Sequence, residues 1–215
     1  MLLLIDKPKG ITSHDVIDRV RRITGERRVG HAGTLDPNAT GLLIVGVGRE
    51  DTKKLGEITK NTNKTYEAEI FLGEERDTDD IEGKVVNTGS EITQPTESDI
   101  KRVLKDFTGE LSQVPPAYSA IKIKGRKSYD LARKGKEVKL EPRKVTVHSI
   151  ELKDYRYPIL YIVCEVSSGT YIRSLARDIG RSLGTYGYLK ELRRTKVGEF
   201  SVDKAQSLQQ LQQSR

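Results

Sequence analysis

The sequence predicts an α+β fold: a mixed, largely antiparallel central sheet flanked by helices. Three observations predict it. Strand-like and helix-like stretches are interspersed along the chain, but not in the regular strand–helix–strand repeat of a parallel sheet. Several stretches, such as TYEAEIFLG (65–73), alternate apolar and polar residues with the period of a half-buried strand. Others, such as IRSLARDIGRSL (172–183), place apolar residues at helical spacing. There is no internal repeat.

The elements follow in order. LLLID (2–6) opens as a short buried strand. KPKGITSH is a turn, and Thr12 with Asp15 three residues later reads as a capped helix start. Val16, Ile17, Val20 and Ile23 form the apolar stripe of that helix, and Gly25 ends it. GLLIVGVG (41–48), apolar and bounded by glycines, reads as a buried strand, and DTKKLGEITK (51–60) as a short polar helix. TYEAEIFLG is the next strand. Residues 74–95 are acidic and rich in turn formers, so they read as loop with one short strand around Lys84 to Val86. Thr96 and Asp99 start a second capped helix, with Ile100, Val103, Leu104 and Phe107 on one face and Gly109 past its end. KVTVHSIEL and PILYIVCEVSSG are strands. TYIRSLARDIGRSLG is a helix buried through Ile172, Leu175, Ala176, Ile179 and Leu183. YLKELRRTKVGEFSV reads as a strand pair with a turn, and the tail KAQSLQQLQQSR as a short terminal helix.

Composition bounds the function. The 215 residues suit one domain, and a net charge of +7 favours a polyanionic partner such as nucleic acid. No stretch approaches the ~18 apolar residues of a membrane-spanning helix, and the start lacks the basic-then-apolar order of a signal peptide. Cys164 is the single cysteine and lies in a strand-like run, so it reads as core in a reducing compartment. His14, His31 and His148 are far apart and not in metal-ligand spacing. The acidic string ERDTDDIEG (75–83) fails the calcium-loop pattern, because Ile81 falls on a ligand position. GVGRED lacks the glycine spacing and Lys-Ser/Thr end of a phosphate loop.

One acid stands out. In GHAGTLDPNATG (30–41), Asp36 precedes Pro37, which disfavours the α region and restricts where the carboxylate points. Gly33 and Gly41 permit close approach by another molecule. An Asp-Pro turn is one reading; a nucleophile or base mounted on a short loop is the other. An ionised acid near a base needs a cation to offset the rise of its pKa. Arg173, at the start of the 170–184 helix where the dipole disfavours cations, is a candidate, against the plainer reading of a solvated arginine. Residues 113–144 carry Lys122, Lys124, Arg126, Lys127, Arg133 and further lysines and arginines, interleaved with Tyr118 and Tyr129. Such a run reads either as a solvated loop or as a surface for RNA phosphates with an occasional stacked base.

GHAGTLDPNATG resembles the catalytic motif of the TruB-type tRNA pseudouridine synthases. DKPKGITSHDV (6–16), NKTYEAEIFLGEERDTDDIEG (63–83), VPPAYSAIKIKGRKSYDLARKG (114–135), SSGTYIRSLARDIG (167–180) and YLKELRRTKVGEF (188–200) resemble further motifs of the family, in the same order. The resemblance implies the pseudouridine synthase fold and an enzyme, an isomerase acting on the T-loop uridine at tRNA position 55, without cofactor or metal. It implies Asp36 as the catalytic aspartate, Tyr66 as the tyrosine stacked on the target base, and Arg173 as the arginine paired with the acid. His31 resembles the histidine that fills the space left by the extruded uridine. Gly33, Tyr171 and the basic residues Lys122, Lys124, Arg126, Lys127 and Arg133 would contact substrate, and the basic segment would order on RNA. The expected partner is the T-arm of tRNA, met by a cytoplasmic monomer with no guide RNA and no membrane. The expected layout is a catalytic domain over 1–205 with the basic insertion at about 113–144, and a short tail over 206–215 without the family's extra C-terminal RNA-binding domain. The rival class is a non-catalytic RNA-binding protein on the same fold.

Overall fold

A computed structural model describes residues 1–60, 62–88, 93–119, 121–123, 126–128 and 140–214. Its strands are β1 (Leu2–Lys7), β2 (Val29–Ala32), β3 (Thr40–Val47), β4 (Lys64–Leu72), β5 (Glu74–Arg76), β6 (Val85–Thr88), β7 (Gly109–Gln113), β8 (Lys122–Ile123), β9 (Arg126–Lys127), β10 (Arg143–Arg156), β11 (Ile159–Val166), β12 (Gly187–Val197) and β13 (Phe200–Ser201). The helices are α1 (Ser13–Thr24), α2 (Arg49–Thr59), α3 (Glu97–Asp106), α4 (Ile172–Ser182) and α5 (Leu208–Gln213). The main sheet has the order β1-β3-β12-β4-β11-β10-β7, with β2 on β3 and β13 on β12. β1 and β2 pair antiparallel with β3, while β12 pairs parallel with it, so the α+β class with a mixed sheet holds.

The chain divides into two compact units. The first holds Met1–Glu67, Glu165–Ser168 and Glu191–Arg215; the second holds Ala68–Cys164 and Gly169–Lys190. In the first, β3 is buried on both faces, which explains its continuous apolar run. Leu43, Val45 and Val47 pack with Val16, Ile17 and Val20 of α1 and Leu208 and Leu211 of α5. Leu42 and Ile44 face the other way, toward Leu55 of α2 and Val197. α1 begins at the capping box predicted for it, with Thr12 and Asp15 each satisfying the other's backbone N–H, and ends at Gly25 in the left-handed region. In the second unit, Ile100, Val103 and Leu104 of α3 are buried, and so are Leu160, Ile162 and Cys164 of β11. Thr96 and Asp99 form the same box at the start of α3. Burial pushes the Cys164 thiol up to about 12, as suits a core residue.

The segment 74–95 departs from expectation. Among its described residues it holds two strands, β5 and β6, paired antiparallel. β5 is the missed one: three residues, EER, with no apolar alternation to betray it. Arg173 also departs from the plain solvated reading, since only 8% of it is exposed. Among the described residues no helix is long and apolar enough to cross a membrane.

Candidate functional site

The loop after β2 is held from beneath, at several backbone points. Ser13, buried at the start of α1, donates from Oγ to the Leu35 carbonyl and accepts from the Leu35 N–H, both at 2.9 Å. Asp36 then opens a turn in which the Ala39 N–H donates to the Asp36 carbonyl at 3.1 Å, with Pro37 at the second position that proline favours. The Pro37 carbonyl accepts from the Gly10 N–H at 2.9 Å and from Lys7 Nζ at 3.2 Å. Lys7 is fully buried, and its other donors go to the carbonyls of Pro8 at 2.9 Å and Ile11 at 2.7 Å. Burial lowers the Lys7 pKa to about 8, while the charges of Asp36 and Asp15 pull it back up. The Asp36 carboxylate is therefore half-buried, on a backbone pinned from both sides, within the field of a buried ammonium.

Both ends of the loop meet Arg194. Its Nε donates to the Leu42 carbonyl at 2.9 Å and its Nη2 to the Gly33 carbonyl at 2.8 Å. Arg194 is 1% exposed, so these carbonyls replace water for the guanidinium. At Gly41 the two backbones touch: a Cβ there would stand 2.8 Å from the Arg194 nitrogen and nearer still to its carbonyl oxygen. Gly41 and Gly33 both have positive φ, 98° and 74°. The sequence suggested close approach by another molecule; at Gly41 the group that approaches is instead strand β12 of the same chain.

His31 lies on β2 opposite Val45. Burial first, then Arg194 and His14, lower its pKa, so its imidazole is neutral near pH 7. Its Nδ1 is buried without a hydrogen-bond partner among the described residues. Tyr66 sits on the inward-facing side of β4, in register with Lys64, Ala68, Ile70 and Leu72, and is 7% exposed. Lys64 donates from Nζ to the Ser168 hydroxyl at 3.3 Å, and burial, then Arg194, lowers its pKa to about 8.

In the second unit, Arg173 opens α4. Its Nη2 donates to the Tyr118 carbonyl at 3.0 Å, and its Nη1 to the Thr78 carbonyl at 3.3 Å and Asp80 Oδ2 at 3.4 Å. One helical turn on, Arg177 pairs with Asp79 at 2.8 Å, and a further turn on, Arg181 holds Glu75 through Nε at 2.9 Å and Nη2 at 2.6 Å. Glu75, Asp79 and Asp80 of ERDTDDIEG thus each meet an arginine of one helix face. Burial pushes Asp79 up to about 6, against the pull of Arg177 and Arg173. Tyr171 is fixed by its backbone: its N–H donates to Gln113 Oε1 at 2.9 Å and its carbonyl accepts from Gln113 Nε2 at 3.1 Å. Of the basic segment, Lys122 pairs with Lys127 and Ile123 with Arg126 as a short antiparallel ladder. Lys124 and Arg133, and with them the expected ordering on RNA, lie outside the described residues.

The sequence alone singles out none of Lys7, Lys64, Arg194 and Arg177. Two had a signal. Lys64 shares the inward phase of Tyr66 on an alternating strand, and Arg177 follows Arg173 at helical spacing.

Residues 21–172 match the model of the TruB family pseudouridylate synthase N-terminal domain, and residues 173–215 that of the tRNA pseudouridylate synthase B C-terminal domain. A tRNA pseudouridine synthase B of Arthrobacter sp. (strain FB24) is 48% identical, over 98% of this chain and 70% of its own length. One from Aquifex aeolicus (strain VF5) is 49% identical, over 97% of this chain and 72% of its own length. In three dimensions the chain is similar to one in the crystal structure of a Cbf5-Nop10-Gar1 complex, with a TM-score of 0.75 and 29% identity over 97% of this chain. It spans about half, 52%, of that longer chain. Fold and sequence together place the chain among the pseudouridylate synthases. It belongs to the TruB family of these enzymes.

Proposed function

We propose that the chain isomerises the T-loop uridine of tRNA, at position 55, to pseudouridine, with Asp36 as the attacking carboxylate. The observation that carries this reading is the mounting of Asp36: a half-exposed acid on a turn clamped by Ser13, Gly10 and Lys7, inside the segment that matches the family model. A nucleophile held this way loses little freedom when it reacts. The reaction needs no co-reactant. The bond from sugar C1′ to N1 of the base breaks, the base turns, C1′ bonds to C5, the C5 proton leaves and N1 gains a proton. The target atoms are hidden in a stacked base, so the nucleotide is extruded first, at about a few kcal/mol. Tyr66 stacks on the extruded base and assists loss of the C5 proton. A neutral His31 fills the gap in the stack without bringing a charge into it. Arg173 supplies the guanidinium that keeps the attacking acid ionised, and Tyr171 and Gly33 line the substrate path. Lys122, Lys124, Arg126, Lys127 and Arg133 grip the phosphates of the T-arm. The enzyme works in the cytoplasm as a monomer without a guide RNA or metal.

The test is release of tritium from tRNA labelled at uridine C5. The unsubstituted chain releases it, and Asp36→Asn slows release at least about a thousandfold while still binding the RNA. Full turnover by Asp36→Asn would remove Asp36 from the chemistry. No release by the unsubstituted chain would favour a binding protein instead.

A further inference from the structure

Two buried cations lie side by side beneath the loop that carries Asp36, and neither forms an ion pair among the described residues. Arg194 spends Nε and Nη2 on the carbonyls of Leu42 and Gly33. Lys64, 8% exposed, gives one of its three ammonium donors to the Ser168 hydroxyl, itself bonded to the Thr59 carbonyl at 3.1 Å. Each opposes the other's charge: Arg194 is the charged group that lowers the Lys64 pKa, after burial itself. Buried charges are ordinarily paired, so a pair of like charges with neutral partners calls for an anion from elsewhere.

Gly33 marks the way in. A Cβ at this position would stand 3.2 Å from Arg194 Nη1 and 3.7 Å from Lys64 Cε. Nη1 is the nitrogen outside both carbonyl bonds. Any side chain at position 33 would cover both cationic heads, and none is there. A second observation points the same way: the buried Nδ1 of His31, which feels the Arg194 charge, lacks a partner among the described residues. We propose that Lys64 and Arg194, reached over Gly33, form a seat for one phosphodiester of the substrate RNA, next to the nucleotide on which Asp36 acts. The inference rests on the function proposed above and adds to it the group that fixes the position of the sugar-phosphate backbone while the base leaves the stack. An ammonium and a guanidinium nitrogen together match two oxygens of a phosphate.

The experiment is a neutral-phosphate scan. A T-arm stem–loop RNA carries a single methylphosphonate at each phosphate around the target uridine in turn. Binding is measured to the full chain with Asp36→Asn, alone and combined with Lys64→Met or Lys64→Arg. At one position, neutralisation weakens binding roughly tenfold or more in the two proteins that keep a cation at position 64, the one with Lys64 intact and the one with Lys64→Arg. The same neutralisation has a clearly smaller effect on the Lys64→Met protein, where Arg194 alone still faces the phosphate and which already binds more weakly to the normal RNA. Losses that multiply at every position, with no coupling to Lys64, overturn the proposal. Lys64→Met removes an unbalanced buried charge, so its melting temperature stays at or above that of the parent; a fall would assign Lys64 to packing instead. Tritium release by the unsubstituted chain on the unmodified RNA tests the function separately.

Discussion

Gly41 lies against the backbone of Arg194 at φ 98°, and Gly10 at φ 86° faces open space. The two share a conformation that L side chains avoid, at about 1–2 kcal/mol for alanine, but only Gly41 also meets a neighbour. Gly10→Ala should therefore lower stability by about that amount, and Gly41→Ala by roughly 3 kcal/mol or more, because a strand backbone must move. Urea midpoints of the two variants measure the difference, and equal losses would mean that the close approach carries nothing. Asp36 was legible from sequence because proline and glycine announce a constrained loop. Lys7 and Arg194, which hold that loop, were not. A lysine or arginine reads as surface unless something shows that carbonyls will replace its water, and the carbonyls that tie these two to the loop come from residues 30 and more than 150 positions away.

At the level of elements, local chemistry was the more readable part. The capping boxes at Thr12 and Thr96 need only residues three apart, and both form. The apolar stripe of α4 was also legible, through Leu175, Ala176 and Ile179, all buried. Its arginine stripe was not, since its partners lie on β5 and the following turn, roughly a hundred residues earlier. The three pairs on that stripe differ in worth. The Arg177 and Asp79 side chains are 10% and 9% exposed, whereas the Arg181 side chain is 51% exposed over a buried Glu75. Arg177→Met should lower stability by about 3 kcal/mol, because it leaves Asp79 buried and unpaired. Arg181→Met should cost about 1 kcal/mol or less, because solvent screens that pair on one side. Asp79→Asn in the Arg177→Met background should recover part of the loss, which a double-mutant cycle on denaturant midpoints reads directly. Independent, additive losses would show that the two side chains do not act as a pair.

For the whole molecule, the fold class followed from the order of strands and helices, while the division into two units did not, because β4, β11 and β12 each contribute residues to both. The buried lysines give the molecule an unusual dependence on pH. Lys7 and Lys64 each have a pKa of about 8 in the folded chain against 10.5 ordinarily. Below pH 8 both states hold the protons, and the full penalty of burying the charges is present. Between 8 and 10.5 the unfolded chain binds more protons than the folded one, so stability rises with pH. From pH 8 to 9 the two lysines together should add up to about 2 kcal/mol. Cys164 works the other way. Its thiol, pushed up to about 12 from 9.0, ionises first in the unfolded chain, so it takes stability away as pH rises above 9. The curve should therefore climb between pH 8 and 9 and go on climbing, less steeply, toward pH 10, where most proteins are already losing stability. Urea unfolding at half-unit steps from pH 7 to 10 tests this. Lys64→Met should remove about half of the climb, leaving the part that belongs to Lys7. A profile that is flat or falling between 8 and 9 would mean that the two ammonium groups are better solvated than their burial implies. The anion seat proposed for Lys64 would then lose the charge imbalance on which it rests.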